Sequence, residues 1–208
     1  MIAGDDFLLA VITSSRDIPG EVELLEGLLE AGVDKLHLRK PGGSVGVEPG
    51  GAVGGLLERL APRWAGRLVV HGGDVALAGR YGVGQVHGAV GMAGGLVVST
   101  SVHTWEELMG LPVWVAYAFI SPVFDSISKP GYRANAELLT MAPGPYPCRP
   151  VGLGGVTADN IGLMIERGWM GAAVLGWIWE APRKAVSRFE RLKKIIDGQA
   201  KGIGGSGI

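Results

Sequence analysis

The segment "STSVHT" sets Ser99, Ser101 and His103 on alternate positions, and in extended backbone alternate side chains share a face. An imidazole beside two hydroxyls is a proton-transfer grouping. Its ordinary pKa lies near neutral, so it can both take and give a proton at working pH. A second segment, "FISPVFDSISKPGY" (119–132), leaves a hydrophobic run for Ser126, Ser128 and Lys129. Two hydroxyls and a cation ahead of a Pro-Gly turn suit an anion. In "GLGGVT" (152–157), Gly154 and Gly155 let backbone N–H groups approach a ligand, and Thr157 can cap the following helix at its positive end. "VLGW" supplies Leu175 and Gly176. Each stretch also reads as plain turn chemistry, because glycines are common here, 36 in all. A phosphate grip is favoured only if the three stretches meet, and that depends on the elements carrying them.

Short β-rich runs alternate with amphipathic stretches along the chain. "FLLAVIT" is followed by "PGEVELLEGLLEAG", whose Leu24, Leu25, Leu28 and Leu29 share a helix face, with Gly32 as its stop. "KLHL" precedes "EPGGAVGGLLERLAP", a helix weakened by glycine. "RLVV" precedes "DVALAGRYG", while "GQVHG" precedes a Gly-rich stretch with little helical promise. "GLVVSTS" with "TWEELM", "VWVAYAFIS" with "AELLT", "PVGLGG" with "TADNIGLMIERG", and "GAAVLG" with "PRKAVSRFERLKKIID" complete eight strand-helix units. With no composition break, they predict an α/β fold with one domain, a (β/α)8 TIM barrel over residues 1–200, and a flexible tail over 201–208. A doubly wound open sheet is the alternative, but neither a Walker phosphate loop nor a G-x-G-x-x-G opens the first helix.

In such a barrel the loops after the strand C-termini share one mouth, and those after strands 7 and 8 commonly hold phosphate. Thr13 and Ser14 follow strand 1; His37, Arg39 and Lys40 belong to the end of strand 2; His71 ends strand 3 and His87 strand 4. With His103 after strand 5, all four histidines fall at or just past four consecutive strand ends. Singly each reads as a partly buried imidazole bonded to a carbonyl; together they read as a site. A histidine metal centre is not expected, because no H-x-H or H-x-x-x-H pair and no bridging carboxylate accompanies them.

Composition narrows the function classes. At 208 residues, 47% hydrophobic and 19% charged, the chain suits one core, and its formal charge of -1 exerts no general pull on nucleic acid or acidic membrane surfaces. No apolar stretch approaches membrane-spanning length. The single Cys148 excludes an internal disulfide, and a start with two acids is unlike a secretory signal; both point to the cytoplasm. The sequence leaves a homo-oligomer possible.

The segments "LHLRKPG", "STSVHTWEEL", "SPVFDSISKPGY", "VGLGGVTADNI" and "GAAVLG", in this order, resemble the thiamin phosphate synthase/TenI family over most of residues 7 to 180. The resemblance implies that Arg39, Ser126, Ser128 and Lys129 hold pyrophosphate or phosphate. It implies likewise that Gly154, Gly155, Leu175 and Gly176 grip a thiazole phosphate through backbone. It matches His103 to the acid/base of the thiazole tautomerases and Ser101 to the hydroxyl two residues before it. Lys40, His71 and His87 are taken with the substrate-binding set, and His37, which stands where the synthases carry glutamine, with the catalytic one.

Departures from the family pattern bear on the reaction. The synthases hold Mg2+ with an Asn-Asp pair after strand 3 and an Asp after the strand 4 histidine. Here "VVHGGDVALAG" puts His71 and Gly72 nearest that pair, with Asp74 displaced into a helix start, and "GQVHGAVGMAGG" has no carboxylate. "RKP" likewise replaces the arginine-acid-lysine order. Departing pyrophosphate builds negative charge that a divalent ion held by oxygen ligands neutralises. Proton transfer on a bound thiazole phosphate needs only a phosphate grip and a base. The tautomerase-like reading, which requires no cofactor, therefore leads. Thiamin phosphate synthase, which joins hydroxymethylpyrimidine diphosphate to thiazole phosphate and uses Mg2+, is the alternative, and a non-catalytic binder of thiazole or pyrimidine phosphates is a further one.

Overall fold

The structure is a computed structural model that describes residues 7–40, 51–127, 131, 133–140 and 144–204. Eight parallel strands close into a barrel in chain order: β1 (Leu8–Ile12), β2 (Lys35–Leu38), β3 (Leu68–His71), β4 (Gln85–His87), β5 (Val97–Val102), β6 (Val115–Ile120), β7 (Arg149–Leu153) and β8 (Gly171–Val174). Closure comes from β1 pairing with β8, Leu8 opposite Gly171 through Val11 opposite Val174. The (β/α)8 barrel expected from the alternating pattern is the fold.

Period-2 alternation decides which side chains enter the barrel. Leu36 and Leu38 pack with the helices, and His37 between them turns inward; Val86 packs outward, and Gln85 and His87 inward. The interior is divided by chemistry. Leu8, Ala10, Ile12, Tyr117, Phe119, Val151 and Ala173, from β1 and β6 to β8, form an apolar cluster. The opposite half holds the buried polar side chains of His37, Gln85, His87 and Ser99, from β2, β4 and β5.

Outside lie α1 (Glu21–Glu30), α2 (Ala52–Trp64), α3 (Val75–Arg80), α4 (Trp105–Met109), α5 (Ile161–Glu166), α6 (Gly176–Trp179) and α7 (Ala185–Gly204). The glycine-weakened α2 forms over 13 residues, with Pro62 inside it. Its buried stripe of Val53, Leu56, Leu57 and Leu60 outweighs the roughly 1 kcal/mol that each helical glycine costs. Among the described residues, two strands lack the α-helix that follows the others. The Gly-rich stretch after β4 forms none among the described residues, and "AELL" after β6 tightens into a 3-10 turn, Ala136–Leu139. The last helix runs to Gly204, past the expected domain end at 200; residues 205–208 of the expected tail lie outside the described set. No helix among the described residues is long and apolar enough to cross a membrane.

Candidate active site

A cavity of about 420 Å³ opens at the C-terminal ends of the strands. Arg39, His71, His87, Ser101, His103, Ser126, Gly154, Gly155, Leu175 and Gly176 line it, together with Ile12, Phe119, Ser121 and Trp177. The three stretches expected to grip phosphate therefore meet. An adjoining recess of about 410 Å³ shares Ile127, Leu175 and Gly176 and extends the mouth to Ser14, Arg16 and Glu180. Ser128 and Lys129, expected in the anion loop, lie outside the described residues.

Arg39 reaches the wall because Thr13 prolongs the β1–β2 ladder. The Arg39 N–H donates to Thr13 Oγ1 at 2.8 Å, and that hydroxyl donates to the Arg39 carbonyl at 2.8 Å. Its neighbour Lys40 goes elsewhere. Its ammonium donates to Glu21 at 2.6 Å and to the Arg16 carbonyl at 3.2 Å, with only 3% of the side chain exposed. Lys40 therefore pins the end of β2 to the first turn of α1 and does not line the cavity. "RKP" thus contributes one cation to the mouth, not two.

His37 lies beneath the cavity, wholly buried. Its Nδ1 is 2.9 Å from Nε2 of His71, and its Nε2 is 2.8 Å from the Tyr117 hydroxyl. His71 stacks on His87 at 4.3 Å between ring centroids. His87 in turn meets Ser99 Oγ through Nδ1 at 2.9 Å and Ser101 Oγ through Nε2 at 3.0 Å. Burial holds His37 well below the ordinary imidazole range, with repulsion from His71, His87 and Lys35 adding to it. Burial first, then His87 and Arg39, depress His71 to about 2; burial and then Arg39 bring His87 to about 4. Burial also raises the Tyr117 pKa, against a hydrogen bond with Ser99. At neutral pH this floor is an uncharged hydrogen-bonded network, and His37 meets the cavity-lining side chains of His71, His87 and Phe119.

His103 differs from the other three. It is exposed on the cavity wall, and its Nδ1 donates to the Ser121 carbonyl at 2.9 Å. That bond fixes the tautomer, leaving Nε2 as an acceptor, the form a base needs. Its backbone is fixed by the start of α4. Thr104 Oγ1 accepts from Glu107 N at 3.1 Å, and the Glu107 carboxylate accepts from His103 N at 2.6 Å. This reciprocal arrangement is close to a capping box. Thr104→Ala is expected to lower stability by about 1 kcal/mol and to reduce turnover by loosening the imidazole. Unchanged thermal midpoint and turnover would show that the cap does not position it.

The paired glycines have a structural reason besides ligand approach. Gly154 and Gly155 have φ of 101° and 62°, and a Cβ on Gly155 would stand 2.2 Å from the Asp125 carbonyl oxygen. Val123 N donates to Leu153 O at 2.9 Å and Phe124 N to Gly154 O at 3.0 Å. The loops after β6 and β7 are thus laced backbone to backbone. Thr157 Oγ1 accepts from Asp159 N at 3.1 Å, so it caps the turn ahead of α5 and not α5 itself.

No carboxylate of the described residues lines the cavity. Asp74 Oδ1 accepts from Leu77 N at 2.8 Å, capping α3, and Asp125 Oδ1 accepts from Ala134 N at 2.7 Å. Tyr117, Phe119 and Ser121 are participants that the residue types alone did not single out. They alternate in "YAFIS", so the period that aligned Ser99, Ser101 and His103 aligns them as well.

No protein-family model matches the chain. The thiamine-phosphate synthase of Chlamydia caviae is 26% identical over 212 residues, covering 93% of this chain and 96% of that protein. The crystal structure of thiamine phosphate pyrophosphorylase from Bacteroides thetaiotaomicron superposes with a TM-score of 0.72 at 25% identity, over 92% of this chain and 98% of that one. The thiamine phosphate pyrophosphorylase of Pyrococcus furiosus shares the fold, with a TM-score of 0.69 at 21% identity over 94% of this chain and 98% of that one. The resemblance to the thiamin phosphate synthase/TenI family is therefore one of nearly the whole chain and of its architecture, beyond the separate motifs.

Proposed function

We propose that this chain is a cytoplasmic enzyme of thiamin biosynthesis that binds a thiazole phosphate and moves a proton between positions of the ring, with His103 as acid and base. The observation that carries this reading is the His103 tautomer, its Nδ1–H committed to the Ser121 carbonyl and its Nε2 left to accept. Gly154, Gly155 and Gly176 bring backbone donors to the same cavity, with Arg39 and Ser126 on its wall. The expected grip is completed by Ser128 and Lys129. Phe119 and Trp177 give the ring apolar faces to rest on. Ser101, bonded to His87, ties the wall to the floor. The reaction relocates one proton and needs no co-reactant.

The described lining of the cavity does not favour the Mg2+ that a synthase would use, although Glu180 stands in the adjoining recess. Mg2+ takes hard oxygen ligands, and the described lining holds hydroxyls and imidazoles with no carboxylate. A second reading, thiamin phosphate synthase, is favoured by the names of the similar proteins. The two part in one experiment. The purified protein is offered hydroxymethylpyrimidine diphosphate with thiazole phosphate, with and without Mg2+, and separately the thiazole carboxylate phosphate tautomer. Isomerisation without coupling is expected. Efficient coupling with no isomerisation would replace the proton-transfer reading by the synthase.

A further inference from the structure

We propose that His37, His71 and His87 form a binding site for a first-row transition-metal dication such as Zn2+, set in the floor of the cavity with one side open to it. One ring nitrogen from each of the three lies within 4.8 Å of the other two. The histidines come from β2, β3 and β4, with His71 and His87 directly opposite in register. The proposal is independent of which reaction the cavity performs.

The donor set selects the ion. Imidazole suits Zn2+, Co2+ or Ni2+, whereas Mg2+ demands oxygen. Ligation requires the neutral ring, and burial keeps all three in that form. Outer partners are also in place. His37 Nε2 faces the Tyr117 hydroxyl and His87 Nδ1 faces Ser99 Oγ, the pairing by which ligating histidines fix their orientation. This leaves His37 Nδ1, His71 Nε2 and His87 Nε2 to converge, His87 Nε2 exchanging Ser101 for the metal. Around an ion about 2.0–2.1 Å from each nitrogen, ligand atoms stand roughly 3–3.4 Å apart. The 2.9 Å between His37 and His71 lies just under such spacing, and the wider separations, all within 4.8 Å, would close by tilting the stacked His71 and His87 rings. Three protein ligands with a cavity on the fourth side is the pattern of an open, reactive site. Neutral ligands beside Arg39 leave the ion's charge uncompensated, so the open position favours an anionic oxygen, as a phosphate would offer.

The full-length protein, stripped with EDTA, is titrated with Zn2+ and Mg2+ by calorimetry and with Co2+ by visible absorption, without substrate. One equivalent of Zn2+ is expected, together with intense cobalt bands that Zn2+ displaces and no Mg2+ binding. His71→Asn and His87→Asn should each weaken Zn2+ by about a hundredfold or more, while His103→Ala leaves it unchanged. Should either variant fail to fold, the paramagnetically shifted imidazole resonances of the wild-type cobalt protein count the ligands directly, and three are expected. No stoichiometric Zn2+ binding, binding indifferent to both substitutions, or a resonance count that omits the trio would overturn the site and leave a purely hydrogen-bonded network. The thiazole assay reads His103 and stays informative either way.

Discussion

His103→Ala or His103→Gln is expected to lower isomerase turnover by roughly a hundredfold or more, the scale of losing a positioned acid/base, while affinity for the phosphate ligand changes far less. The split follows from the geometry. The imidazole is held by the Ser121 carbonyl on one side of the cavity, whereas the proposed anion grip is built from Arg39 and the loops after β6, β7 and β8. Removing the ring therefore deletes the proton carrier and leaves the grip in place. The side chain is exposed and bears no core packing, so the fold should survive. Steady-state kinetics with a separate binding measurement on the same variant distinguish the outcomes. Equal losses in turnover and affinity would make His103 a binding group, and full activity would remove it from the chemistry.

Acid should unfold this barrel early. In the unfolded chain each imidazole takes up a proton below about pH 6.5. In the folded one His71 resists to about 2, His87 to about 4, and His37 stays well below its ordinary range. Folded pKa values depressed below the unfolded ones mean that the unfolded state binds more protons, so stability is full above about pH 6.5 and falls as pH drops towards the folded values. At pH 5 His71 and His87 should each cost roughly 2 kcal/mol, and His37 acts in the same direction, so the loss is a large share of a typical domain's stability. Urea unfolding from pH 7.5 to 5 in EDTA measures the loss. His87→Gln should remove close to one proton from the slope. A flat profile would show that the folded network admits protons after all.

The strands were legible as short β-rich runs, and although the β5–β6 register shifts between Val98 and Ser99, the alternation that resumes at Ser99 places Ser101 and His103 on the cavity side. What escaped depended on contacts between distant segments. Lys40 looked like a phosphate ligand beside Arg39, yet Glu21, 19 residues earlier, takes it. No local pattern foretells that pairing, since Glu21 also reads as an ordinary helix-start acid. The histidines carried no metal spacing because spacing rules describe groups on one helix or hairpin, whereas here three parallel strands, separated by helices, bring one imidazole each. Tyr117 was hidden for a related reason. A lone tyrosine inside an apolar strand looks like core until His37, 80 residues away, arrives at its hydroxyl. In the other direction, α2 shows a buried leucine stripe prevailing over glycine, a contest that propensity alone decides wrongly.

The pairing of Leu8 with Gly171 sets a condition on how the chain can be made. The strand made first among the eight finds its second neighbour only when the other seven have followed it. Until then the outer edge of β1 presents unpaired backbone groups, and the apolar half of the interior, which needs Val151 and Ala173 alongside Leu8 and Ile12, stays open to water. Edges and apolar faces in that state invite pairing with other chains. Such long-range closure is also intrinsically slow. A nascent chain stopped before β8 should be a client for chaperones, and solubility on expression should appear only once β8 and the core-facing residues of the last helix, through Ile196, are included.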